Sequence, residues 1–167
     1  MPDNSAAPRA YHLTWDEFHR DTRALAQRLL ESGKQWRGIV GIARGGLIPA
    51  AIIARELNIR LVDTICIASY DHDQQGEAKI LKAVSGDNSD LLVVDDLVDT
   101  GVTADIARKL LPAATMAAVY AKPAGMQSAD YWQREFSQDT WLHFPWDCEL
   151  DNDEYRFAEP LHKRLKQ

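Results

Sequence analysis

LLVVDDLVDTGVTA, residues 91 to 104, joins an apolar run to two adjacent acids, a third acid, and a turn of hydroxyls and glycine. The apolar part, Leu91 to Val94, shows no period of two, so both its faces must be buried, as in a parallel strand. Asp95 and Asp96 follow it, at the carboxyl end where open parallel sheets place their ligands. The turn Asp99-Thr100-Gly101-Val102-Thr103 then enters a helical run, Thr103 to Leu111. Free N–H groups at such a helix start, with a partial charge of roughly half a unit, suit a phosphate. Thr100 and Thr103 add hydroxyl donors, and Gly101 lets the backbone come close. The acids call for hydroxyl donors or a metal, and the turn calls for an anion. A ribose 5-phosphate offers both partners a few ångströms apart.

The same pattern extends outward on both sides. Gly38 to Ala43 (GIVGIA) reads as a strand, Arg44-Gly45-Gly46 as a turn, and Leu47 to Leu57 as a helix with Pro49 in its first turn. Leu61 to Ile67 and Met116 to Tyr120 read as further strands. Strand, helix and strand joined by short links predict an α/β fold, with a parallel sheet, right-handed crossovers and helices over both faces. Before these units, Thr14 and Glu17 form a capping-box pattern, and Trp15, Phe18, Leu25, Leu29 and Leu30 recur at helical spacing until Gly33. Residues 69 to 90 are polar and predict a long mobile excursion, with room for a weak hairpin, of the sort that closes over a site. Residues 1 to 10 are expected not to order firmly.

A chain of 167 residues, 46% of them hydrophobic, is expected to form one domain with a real core. The formal net charge of −6 argues against a nucleic-acid partner held through its phosphates. Cys66 and Cys148 make no CxxC pair, and no apolar run is long enough to cross a bilayer, so a cytoplasmic protein is expected. The five histidines show no HxxxH spacing for zinc. An acidic pair at a strand end also occurs in receiver domains and in phosphatases, but phosphatase acids stand one residue apart, and here they are adjacent. By residue type alone, Lys122 reads as a solvated lysine, and Trp141 and Trp146 as core or interface aromatics.

VVDDLVDTGVT resembles the PRPP (phosphoribosyl pyrophosphate) signature of the type I phosphoribosyltransferases. ARGGL at 43 to 47, SYDHD at 69 to 73, AKPAG at 121 to 125, and DTW and PWD between 139 and 147 follow the order seen in the bacterial xanthine-guanine phosphoribosyltransferases. The resemblance covers residues 11 to 147 and leaves 148 to 167 as a divergent tail.

This resemblance implies a purine phosphoribosyltransferase: PRPP plus guanine or xanthine, with hypoxanthine as a further candidate, giving the nucleoside 5-monophosphate and pyrophosphate. It implies that Asp95 and Asp96 hold the ribose hydroxyls, with Asp96 beside Mg2+, and that Asp99, Thr100, Gly101, Val102 and Thr103 cradle the 5-phosphate. Arg44 and Gly45 would present backbone groups to pyrophosphate through a peptide that is often cis in relatives. Asp99 would be the catalytic group facing purine N7, Lys122 the donor to O6, Trp141 the stacking partner, and the Trp141 and Leu142 backbone the contact to the exocyclic edge. A homotetramer, and for some relatives a peripheral place at the inner membrane, are implied likewise.

The rivals are a hypoxanthine-preferring or other-base transferase, and a PRPP-sensing regulator that binds nucleic acid. The chain departs from the resemblance in three places. Val102 stands where relatives carry a second glycine, His143 where an acid is expected, and Gly76 where a basic residue is expected, leaving Lys79 and Lys82 as candidates to meet pyrophosphate.

Overall fold

Apolar runs that need burial on both faces must lie side by side between helices, and the computed structural model places them so. It describes residues 9–68, 79–82, 88–151 and 154–157. Along the chain come β1 (Arg9–His12), α1 (Trp15–Glu31), β2 (Gly38–Ala43), α2 (Leu47–Glu56), β3 (Leu61–Ala68) and β4 (Lys79–Lys82). They are followed by β5 (Leu91–Val98), α3 (Val102–Leu110), β6 (Thr115–Ala121), β7 (Tyr131–Glu135), β8 (Thr140–His143), β9 (Cys148–Asp151) and β10 (Glu154–Phe157). The chain divides into two compact units, Asp21–Gln138, and Met1–Arg20 with Asp139–Gln167.

The larger unit holds a six-stranded sheet in the order β4-β3-β2-β5-β6-β7. β2, β3, β5, β6 and β7 are parallel, and β4 runs antiparallel at the β3 edge. The chain steps outward from β2 to β3 and then returns to β5 on the other side of β2. Strand order therefore reverses between β2 and β5, the switch point where a ligand crevice opens.

Both faces of the sheet are covered, as expected. Val40 and Ile42 of β2, with Leu91 and Val93 of β5, pack in one cluster with Ala104 and Ala107 of α3. Gly41 has the opposite parity and faces α2, where a Cβ on it would lie 3.2 Å from that of Ala50. On α1, Leu25 and Leu29 are fully buried, and Tyr120 of β6 donates its hydroxyl proton to Asp21 at 3.1 Å. Burying a leucine of this kind contributes about 1.5–3 kcal/mol.

Of the expected strands, one boundary shifts by more than a single residue. β5 continues four residues past Val94, because the two ladders beside it end at different points. Pairing with β2 stops at Gly41 opposite Val94, whereas pairing with β6 runs on to Val98 opposite Ala121. Asp95 and Asp96 thus remain in extended backbone, fixed on one side only.

In the smaller unit, β1 pairs in parallel with β8, from Arg9 opposite Thr140 to His12 opposite His143. The Thr14 hydroxyl accepts the Glu17 N–H at 3.1 Å, capping α1 as its pattern predicts, while Tyr11 donates to the Glu17 carboxylate at 2.6 Å. Phe18 meets Trp146 edge to face at 5.1 Å, and Phe144 stacks on Trp146 at 4.7 Å. Trp146 is therefore a packing residue, as its type suggests.

β9 and β10 form an antiparallel hairpin within the stretch read as a divergent tail. Arg9 and Ala10, expected not to order, begin β1. Residues 1–8, 69–78, 83–87 and 158–167 lie outside the described residues, so most of the expected excursion does too, with Gly76; Lys79 and Lys82 open and close β4. Among the described residues no helix is long and apolar enough to cross a membrane.

Candidate active site

Three chain segments leave the sheet at the carboxyl ends of β2, β5 and β6, and glycines let them approach one another. After β2 the Ala43–Arg44 peptide is cis, and Gly46 closes the turn by donating to the Ile42 carbonyl at 2.9 Å. A Cβ on Gly46 would lie 2.3 Å from the Val94 carbonyl oxygen, and one on Gly45 would lie 2.0 Å from an Asp96 carboxylate oxygen. The Asp96 carboxylate therefore rests directly on the Gly45 backbone, at the switch point. Arg44 is exposed.

Asp95 is buried, and its carboxylate accepts the Asp96 N–H at 2.9 Å. Asp96 in turn accepts the Leu97 N–H at 2.7 Å. Burial first, and then the Asp96 charge, hold the Asp95 carboxyl well above the usual carboxylate range.

The turn after β5 carries Asp99, the exposed Thr100, and Gly101 in the left-handed region at φ +89°. Val102 already begins α3, and Asp105 donates to the Gly101 carbonyl at 2.8 Å. Positive φ in this turn is thus confined to the glycine, and Val102, which departs from the glycine that the resemblance implies, occupies ordinary helical backbone. The first N–H groups of α3 have no acceptor within the helix and point out of its start, as an anion site requires.

Beyond β6, Lys122 is buried, 3% exposed, rather than solvated. Its backbone N–H donates to the Val98 carbonyl at 2.9 Å, and its ammonium meets the Asp99 carboxylate at 2.8 Å. The other Asp99 carboxylate oxygen accepts the Gln138 side-chain N–H at 2.7 Å. A Cβ on Gly125 would lie 2.6–2.8 Å from Val98 and from the Asp99 carbonyl, so the turn from 122 to 125 packs flat against the turn that carries Asp99.

Ser128 was not singled out by its sequence, yet it is buried and donates to Asp105 at 2.7 Å. Its hydroxyl would stand 2.6 Å from a Cβ on Gly101, so it backs the turn that carries Gly101. Gln138 is a second such residue. A lone polar residue before DTW carries no pattern that would mark it.

Among the sequence-predicted residues, the structure brings Asp96 to Gly45 and Lys122 to Asp99. Arg44, Thr100, Gly101, Val102 and Thr103 lie on the same turns. Trp141 and Leu142 belong to the smaller unit, on β8, where Trp141 is 60% exposed and Leu142 is buried.

Residues 13–153 match the phosphoribosyl transferase domain. A xanthine-guanine phosphoribosyltransferase of Desulfotalea psychrophila is 53% identical over 154 residues, covering 92% of each chain. Among solved structures, the purine phosphoribosyltransferase of Pyrococcus horikoshii superimposes with a TM-score of 0.70 at 30% identity, covering 90% of this chain and 98% of that one. A Neisseria gonorrhoeae protein with bound ppGpp gives 0.72 at 26% identity, covering 96% and 97%.

Proposed function

We propose a purine-salvage reaction, and its premise is that the chain belongs to the phosphoribosyl transferase family. The protein transfers the 5-phosphoribosyl group of PRPP to guanine or xanthine, releasing pyrophosphate. The observation that carries this reading is the meeting of three turns: the Asp96 carboxylate lies over the Gly45 backbone, and Asp99, three residues on, pairs with buried Lys122. The first pairing supports a diol and pyrophosphate on one side, and the second a 6-oxopurine on the other.

The 5-phosphate takes the turn from Thr100 to Thr103 and the start of α3. Asp95 and Asp96 accept hydrogen bonds from the ribose hydroxyls, and the Arg44–Gly45 backbone receives pyrophosphate. As the C1 to pyrophosphate bond breaks, positive charge grows on the ribosyl centre, so held geometry and fixed charges dominate the rate. A purine ring nitrogen bonds to C1 on the opposite side, and the proton at N7 passes to Asp99. Lys122 supplies a charged donor for O6, a role that suits a buried ammonium. For Trp141 as the stacking partner, and the Trp141–Leu142 backbone as the contact to the exocyclic edge, the resemblance alone carries the reading.

The acids also fit Mg2+. Among the described residues no group of three or more His, Cys, Asp or Glu could cage a metal, and Mg2+ characteristically keeps waters and takes one or two carboxylates plus phosphate oxygens. Asp96 would hold it. Its charge would turn the repulsion between diphosphate and the acids, about 4 kcal/mol per pair of unit charges at about 4 Å, into attraction. A homotetramer and a cytoplasmic location belong to the same proposal and rest on the resemblance.

Pyrophosphate release from PRPP with each base in turn, with and without excess chelator, tests the reading. Guanine or xanthine is expected to be the best substrate, with hypoxanthine behind them and no release in chelator. Uracil or orotate as best substrate would end it.

A further inference from the structure

We infer that Gln138 is a positioning residue for the proton-handling carboxylate of Asp99, an inference that rests on the role given to Asp99 above. The Gln138 side chain bridges two turns. Its Oε1 accepts the Ala124 N–H at 3.0 Å, and its Nε2 donates to Asp99 Oδ1 at 2.7 Å, with a longer 3.5 Å contact to the Asp99 carbonyl. The orientation of the amide follows from chemistry: a peptide N–H can only donate, so the oxygen must face Ala124 and the nitrogen must face Asp99.

The consequence for Asp99 is specific. Lys122 Nζ holds Oδ2 at 2.8 Å and Gln138 holds Oδ1, so each carboxylate oxygen has one donor. Two donors, one on each oxygen, fix the plane of the group. A carboxylate offers about four lone-pair positions, so acceptor capacity remains for a purine N–H.

Lys122 is also the group placed at O6, and its ammonium has a second acceptor to serve when a base arrives. Gln138 has no such competing duty. It therefore keeps Asp99 aimed while Lys122 turns toward the substrate. Because Gln138 is exposed, water can replace its hydrogen bonds at little loss of stability, whereas water cannot fix the carboxylate's direction.

Gln138→Ala and Gln138→Glu, assayed in the full-length enzyme, test this. Gln138→Ala is expected to lower kcat about tenfold with the KM for PRPP changed less than about twofold, the signature of an interaction needed in the transition state. Gln138→Glu keeps an acceptor for Ala124 but sets an anion against Asp99. The acidic limb of its kcat/KM profile is expected to move to higher pH, since a like charge disfavours the ionised form. Thermal melts of both variants should stay close to wild type.

Wild-type kcat in Gln138→Ala together with an unmoved pH limb in Gln138→Glu would overturn the inference. So would losses carried by a fall in melting temperature, which would make the residue merely structural. A wild-type enzyme that forms no nucleotide from any base would instead defeat the functional reading itself, so the two failures are distinguishable.

Discussion

Asp95 keeps a buried carboxyl beside a second one, and both burial and Asp96 disfavour its charge. A carboxyl whose folded-state pKa is raised contributes stability that is complete below the unfolded value, about 3.9, and is lost as pH rises through the raised one. Asp95→Asn keeps the acceptor for the Asp96 N–H and removes the titration. The ligand-free variant is expected to melt above wild type at about pH 8, by about 2–4 °C for each kcal/mol of relieved repulsion, and the gap should close near about pH 4. With Asp95 in the role proposed for it, PRPP affinity should fall at least about tenfold at the same time, since a ribose hydroxyl would lose a charged acceptor. Melts at the two pH values and a PRPP titration check both halves; a gap independent of pH would remove Asp95 as its source. The Asp pair and the turn after it were legible because their chemistry is local. Lys122 was not, for its burial depends on Asp99, which lies 23 positions earlier, and no spacing rule encodes that meeting.

At the scale of elements, the start of α3 concentrates the backbone demand in one glycine. Gly101 has φ +89°, and an added Cβ would meet the Ser128 hydroxyl at 2.6 Å. That hydroxyl is held by Asp105 and cannot withdraw freely. Gly101→Ala is expected to lose about 1–2 kcal/mol of stability from the left-handed backbone and to weaken PRPP binding as the turn shifts. Val102→Gly would install the glycine that the resemblance implies, yet it is expected to leave PRPP affinity unchanged. It should lower stability by about 0.5–1 kcal/mol, because Val102 is already helical. Melts and PRPP titrations of the two variants decide it, and tighter binding by Val102→Gly would show that the valine distorts the turn. The central strands and helices were legible from long apolar runs and turn residues. β7, and the pairing of β1 with β8, were not. Each of these strands has four or five residues, and β1 finds its partner near the far end of the chain, where no periodicity announces it.

Charge acts at the scale of the whole molecule. With 25 acids against 19 lysines and arginines, the formal net charge is −6, so an anionic substrate approaches against the overall field and is captured only by short-range contacts. Screening weakens that opposing field once charges lie beyond the Debye length, about 10 Å at 0.1 M salt. A nucleic-acid-binding regulator behaves oppositely, because it releases counterions from phosphates and loses affinity steeply as salt rises. The association rate of PRPP, with Mg2+ held constant and the protein's own tryptophans as the reporter, is therefore expected to stay level or rise between about 50 and about 200 mM salt. A protein neutralising six or more phosphates would lose about a thousandfold in nucleic-acid affinity over the same range. A steep fall in PRPP association, or tight RNA retention that salt abolishes, would reveal a basic face that the net charge conceals and would favour the regulator over the enzyme.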